Sequence, residues 1–186
     1  MNSGKPGIVT LVVKTIIVHT ITYFVMGLLA FTLLGYAEVF ARPWMVCWMR
    51  QTDDALVIAG TLFQPIRGLI FALAFYPLRE PLFGKKNGWL VLWWLLVALG
   101  ILSTFGPAPG SVEGWIYTVI PISQQMSGWL EVVPQALLLS AILFYWVNHP
   151  DKRWLNWLMG VVFFVALLLP TLGLFVGVSS QVTPLP

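Results

Sequence analysis

Between Lys14 and Glu38 the chain carries no charged side chain, and most of the residues there are Val, Ile, Leu, Phe, Met or Ala. A helix needs about 20 such residues, at about 1.5 Å each, to cross the roughly 30 Å hydrocarbon core of a bilayer. Similar runs recur at Ala55 to about Tyr76, interrupted by Arg67, then at about Trp89 to Phe105, at about Gly128 to Val147, and at Trp154 to about Val178. In hydrocarbon each backbone N–H and C=O must find its partner within the segment, so these runs fold as helices. The expected fold is all-α. It is a polytopic helical membrane protein with five transmembrane helices in a single domain over residues 1–186, with spans at about 15–37, 55–76, 89–105, 128–147 and 154–178.

Composition excludes the soluble alternative. Charged residues make up 9% of the chain and hydrophobic residues 59%, whereas a soluble domain is about a quarter charged. Mean hydropathy is +0.86. Five spans of about 20 residues leave too little of the 186 residues for an extramembrane domain. The first apolar run is also longer than the roughly 7–15 residues of a signal-peptide core, so it reads as a retained span.

Two stretches fall outside the spans. Ala41–Arg50 has Pro43 placed for a first helical turn, followed by Trp44, Met45, Trp48 and Met49 as amphipathic anchors. Trp115–Met126 is apolar but broken by Pro121, and it follows the breaker cluster Gly106-Pro107-Ala108-Pro109-Gly110. These predict one or two short interfacial or re-entrant helices on the outer side. Most tryptophans, including Trp89, Trp146, Trp154 and Trp157, stand at span ends as an interfacial belt.

Lys and Arg give the orientation. Lys5 and Lys14 precede the first span. Arg79, Lys85 and Lys86 lie between the second and third, and Lys152 and Arg153 between the fourth and fifth. The opposite loops hold Arg42 and Arg50. The basic excess marks the cytoplasmic side. Met1 is then expected inside and Pro186 outside, in a plasma membrane or bacterial inner membrane.

A constant offset aligns residues 62–102 with 131–171, placing Pro65 on Pro134, Phe75-Tyr76 on Phe144-Tyr145, Pro81 on Pro150 and Asn87 on Asn156. This suggests a tandem helical-hairpin repeat with both hairpins in the same membrane orientation. A shared inner-interface pattern of aromatic and proline residues explains it equally well.

Several chemistries are unsupported. Cys47 is the sole cysteine, which removes an internal disulfide and any cysteine-built metal site. No nucleophile elbow, zinc-protease motif or phosphate loop is present. Lys and Arg are scattered, so no nucleic-acid partner is expected. Asp53 and Asp54 precede a span as helix caps, with Arg50 or Arg42 in reach of Asp54, and no metal site is assigned. No cofactor is predicted. His19 and His149 fall on one side and could in principle ligate a haem or chlorin. The simpler reading gives His19 an interhelical hydrogen bond and leaves His149 in a loop.

The candidate site is intramembrane. Arg67 lies about 13–14 Å from Tyr76 by helical rise, near mid-membrane, where an arginine must face protein, water or a partner. Gln64 shares its face. Glu131 and Gln135 lie at matching depth on the fourth span, and each pair straddles or adjoins a proline, Pro65 or Pro134. Gln64, Arg67, Glu131 and Gln135 are therefore expected to line one polar pocket open to the outer side. An Arg67–Glu131 pair that merely fixes helix register is the structural alternative. The functional expectation is binding or transport of a small anionic or zwitterionic ligand or a lipid headgroup. A non-catalytic subunit of a larger membrane complex is the alternative, and an intramembrane enzyme using Glu131 and Arg67 comes third. No catalytic residue is assigned. Partners would be membrane lipids, further copies of the chain, or other membrane subunits.

Overall fold

The computed structural model describes residues 6–181, and side chains as far as Phe175. Met1, Lys5 and Pro186, which enter the orientation argument, lie outside the described residues. In chain order the helices are α1 (Ile8–Leu33), α2 (Tyr36–Phe40), α3 (Pro43–Val46), α4 (Ala55–Ile58), α5 (Gln64–Phe75), α6 (Arg79–Phe83), α7 (Gly88–Val97), α8 (Val112–Tyr117), α9 (Ile122–Ser127), α10 (Trp129–Asn148) and α11 (Arg153–Gln181). Among the described residues there is no strand. Among the described residues four helical stretches are long and apolar enough to cross a membrane: Ile8–Leu33, Ala55–Phe75, Ile122–Asn148 and Arg153–Phe175. The run expected at 89–105 is a shorter apolar helix, Gly88–Leu102. Its last turn widens to a π-helix at Ala98–Leu102 before Ser103 ends it.

Local chemistry sets the breaks. α1 begins before Lys14 rather than after it. The Lys14 ammonium is buried, donates to the Trp146 carbonyl at 2.7 Å and lies 5.1 Å from the Trp146 ring centre. The cation is thus absorbed at the last turn of α10, where carbonyls lack helical donors. α1 ends at Gly35, whose φ of +62° suits glycine and turns the chain into α2. Pro43 occupies the first turn of α3. Asp54 caps α4, its carboxylate accepting from the Leu56 N–H at 2.8 Å and pairing with Arg50 at 3.0 Å.

The proline at 65 acts through a tightened turn. Because Pro65 has no N–H, the Thr61 carbonyl lacks its usual donor. The chain answers with a 3-10 segment at Ala59–Phe63, and the Gln64 N–H reaches the Thr61 carbonyl instead. Pro134 sits inside α10, and no 3-10 turn marks it. The stretches 62–102 and 131–171 also differ at their loops. The first carries α6 between α5 and α7, and the second turns directly from α10 to α11.

α1 is the central post. It packs against α5, α10 and α11, while α7 lies against α10. The apolar core, at the end carrying the α5–α7 loop and the α10–α11 turn, includes Leu11, Val18, Phe75, Leu82, Leu92, Leu143, Trp146 and Leu155. α1 and α5 approach closely at Gly68, where a Cβ would fall 2.7 Å from the Ile16 Cα. Small residues permit such contacts between apolar helices.

Candidate functional site

Thr15, His19, Tyr23 and Gly27 recur every fourth residue of α1, so they form one face. That face is polar inside the bundle. His19 is 1% exposed, and its Nε2 lies 3.1 Å from the Gln64 Oε1 of α5. The expected interhelical bond of His19 is therefore present. Gln64 in turn donates through Nε2 to the Gly60 carbonyl at 3.0 Å, and Phe71 meets the imidazole edge-on at 4.9 Å. Among the described residues the Thr15 hydroxyl and His19 Nδ1, both buried, find no hydrogen-bond partner.

One turn on, the Tyr23 hydroxyl passes 3.4 Å from where a Cβ on Gly60 would stand, so this glycine leaves room for the phenol. At Gly27 the helix is bare, and the Glu131 carboxylate lies 4.0 Å from the position a Cβ there would take. Glu131 accepts a hydrogen bond from the Tyr36 hydroxyl. Tyr36 opens α2, immediately after the left-handed turn at Gly35. Burial, followed by its bond to Glu131, pushes the Tyr36 hydroxyl above the ordinary tyrosine range.

Glu131, Tyr36 and Tyr23 border a cavity of about 920 Å³. α1 contributes Phe24 and Leu28 to it, the α2–α3 segment Phe40, Trp44, Met45 and Trp48, the start of α4 Leu56 and Val57, and α11 Leu169 and Pro170. Gln124, Ser127, Thr52 and Thr61 add neutral polar groups. Among the described residues of this lining, Glu131 is the one with a charge-bearing side chain. The arrangement can hold a long apolar body and offer one carboxylate to a donor group.

Gln125 pins the chain beside the cavity. It is 2% exposed and donates to the Ile120 carbonyl at 2.7 Å and the Gly114 carbonyl at 3.3 Å, while accepting from the Gly110 N–H at 3.1 Å. Gly110 has φ +84°, and Trp129 donates to its carbonyl at 3.0 Å. One buried amide thus ties the breaker cluster, α8 and α9 into a fixed plug.

The four residues picked from sequence take different positions. Glu131 lines the cavity. Gln64 sits behind it, joined to the wall through the Gly60 carbonyl. Gln135 is half-buried one turn further along α10. Arg67 is exposed, with its guanidinium 5.5 Å from the Phe71 ring. The described ion pairs do not join Arg67 to Glu131. Sequence reasoning missed Tyr36, Gln125 and the role of Gly27. The four-residue spacing from Thr15 to Gly27 was a usable signal, whereas nothing local connects Tyr36 to Glu131.

His149 is half-buried and stacks on Tyr145 at 4.2 Å, while His19 keeps Nε2 on Gln64. Among the described residues no group of three or more His, Cys, Asp or Glu is placed to hold a metal ion. Comparison with protein-family models, with curated proteins and with solved structures finds no match.

Proposed function

We propose that the chain binds, and in that way presents or moves, a zwitterionic amphiphile such as an aminophospholipid, with its ammonium on Glu131. The observation that carries this reading is the cavity itself. Ligand pockets commonly fall in the range of about 300–1,000 Å³, mostly apolar with a few placed polar groups, and this one is about 920 Å³ with a lone carboxylate. An ammonium donates and carries the complementary charge, so its bond to a carboxylate is charge-assisted. Acyl chains would lie along Phe24, Leu28, Val57 and Leu169. Among the ligand classes open to the sequence, a purely anionic one loses support, because Arg67 does not line the cavity.

The reading includes a topology. Gly88–Leu102 counts as a short fifth span, about 22 Å at helical rise, which local thinning of the bilayer accommodates. Arg79, Lys85, Lys86, Lys152 and Arg153 flank the helix ends remote from the cavity, so the positive-inside rule turns the cavity outward. Reporter fusions after Asn87 and after Pro109 should lie on opposite sides. Equal signals from both would remove the outward assignment. The ligand is tested with a photoactivatable phosphatidylethanolamine in proteoliposomes. Adducts should concentrate on residues 36–49 and 124–132. Labelling spread evenly over the apolar helix faces would defeat the proposal.

A further inference from the structure

The cavity leaves Arg67 unexplained. Arg67 stands in the middle of Ala55–Phe75, about 12 Å from its Phe75 end by helical rise. Its side chain is exposed, and the ring of Phe71 on its own helix is its contact. Around it the same helix exposes Phe63, Ile66, Ile70 and Leu73, with Ile66 61% and Ile70 60% exposed. A permanent cation in the midst of an apolar, mid-membrane surface is costly unless something neutralises it. Within the four long apolar helices the one carboxylate is Glu131, and it is held by Tyr36 on the cavity wall.

We infer that the Arg67 face is the docking surface for a membrane-spanning helix of a different protein, one carrying an Asp or Glu at mid-membrane depth that pairs with the Arg67 guanidinium. Charge complementarity names the occupant. A second copy of this chain docked symmetrically here would set Arg67 near Arg67, and it has no carboxylate to spare at this depth. A lipid phosphate lies at the interface rather than the midplane, so the arginine would have to stretch away from its apolar neighbours to meet it. A guanidinium–carboxylate pair between helices is planar and bidentate, and it fixes register as well as partner. The inference is independent of the cavity's ligand.

The test replaces Ile66 or Ile70 with benzoylphenylalanine in the full chain, expressed in its native membrane and irradiated there. The expected result is one heteromeric adduct, whose cross-linked peptide comes from a membrane span with an internal Asp or Glu. Arg67→Glu should reduce that adduct at least tenfold, Arg67→Lys, which keeps the charge but not the bidentate fork, should reduce it less than Arg67→Glu does, and Arg67→Glu should regain it when the partner's carboxylate is changed to Arg. The charge-swap rescue guards against a variant that merely misfolds. Adducts with lipid alone, adducts between two copies of this chain, or a protein adduct indifferent to Arg67→Glu would each overturn the inference.

Discussion

Two regions flank α1 and differ in how they treat a charge. On the α10 side, Glu131 meets a bare glycine at position 27, accepts from Tyr36, and opens on a cavity. On the α5 side, Arg67 stands exposed among exposed apolar residues, with an aromatic ring of its own helix as its contact. Among the described residues the first charge has a hydrogen-bond donor within the chain, and the second has only that ring. An ionisable group inside a membrane protein is tolerated when something satisfies it. The contrast therefore separates a site the chain builds for itself from one that, on the inference above, a partner helix completes.

Neighbouring residues on one helix give the sharpest way to break this comparison. Gly68 turns into α1, one position from Arg67. A valine there would set its Cβ 2.7 Å from backbone, which cannot yield as a flexible side chain would. Gly68→Val should destabilise the detergent-solubilised protein by about 1–3 kcal/mol, the usual cost of overpacking. Arg67→Gln should change it by less than about 0.5 kcal/mol, as at surface positions without a structural role. Thermal unfolding followed by tryptophan fluorescence reads both. Equal losses would mean that Arg67 is part of the internal packing after all.

A smaller effect is expected at the cavity. Tyr36→Phe removes the hydroxyl that Glu131 accepts from, and should cost about 1–2 kcal/mol, the scale of a single side-chain hydrogen bond. It should also loosen α2–α3, raising protease cleavage between residues 36 and 50. An unchanged cleavage rate would show that the segment is held by its apolar contacts alone.

The smallest effect is a pH dependence at the cap of α4. The Leu56 N–H, and then Arg50, hold the Asp54 carboxyl below its ordinary range. A depressed carboxylate contributes stability that is fully present above its unfolded pKa and is lost as pH falls through the folded value. Amide exchange at Leu56 and Val57 should therefore accelerate only in acid, below the usual aspartate range, and Asp54→Asn should abolish that response. Acceleration near neutral pH would point to another group.

The long helices were legible because lipid leaves an apolar run no other backbone solution. The short ones were legible where a single residue dictates geometry, as Pro43 does for α3 and Asp54 for α4. The start of α1 was not, because Lys14 reads as a boundary until the distant Trp146 carbonyl is known to receive it. The candidate site was half legible. Depth along a helix identified Glu131 and Arg67, but depth does not give azimuth. Which way Arg67 faces depends on which side of Ala55–Phe75 packs on α1, and Gly68 and Gln64 decide that through tertiary contacts. Tyr36 reaches Glu131 across 95 positions of sequence, beyond any local pattern.

The central claim is that Glu131 anchors an ammonium headgroup in the cavity. Native mass spectrometry of the protein released from nanodiscs containing equal phosphatidylethanolamine and phosphatidylglycerol tests it directly. Wild-type protein should retain phosphatidylethanolamine in preference. Glu131→Gln should lose that preference by about tenfold, or about 1.4 kcal/mol, the scale of one charge-assisted hydrogen bond, while Arg67→Gln keeps it. Equal retention of both lipids by the wild-type protein, or a preference that survives Glu131→Gln, would contradict the account.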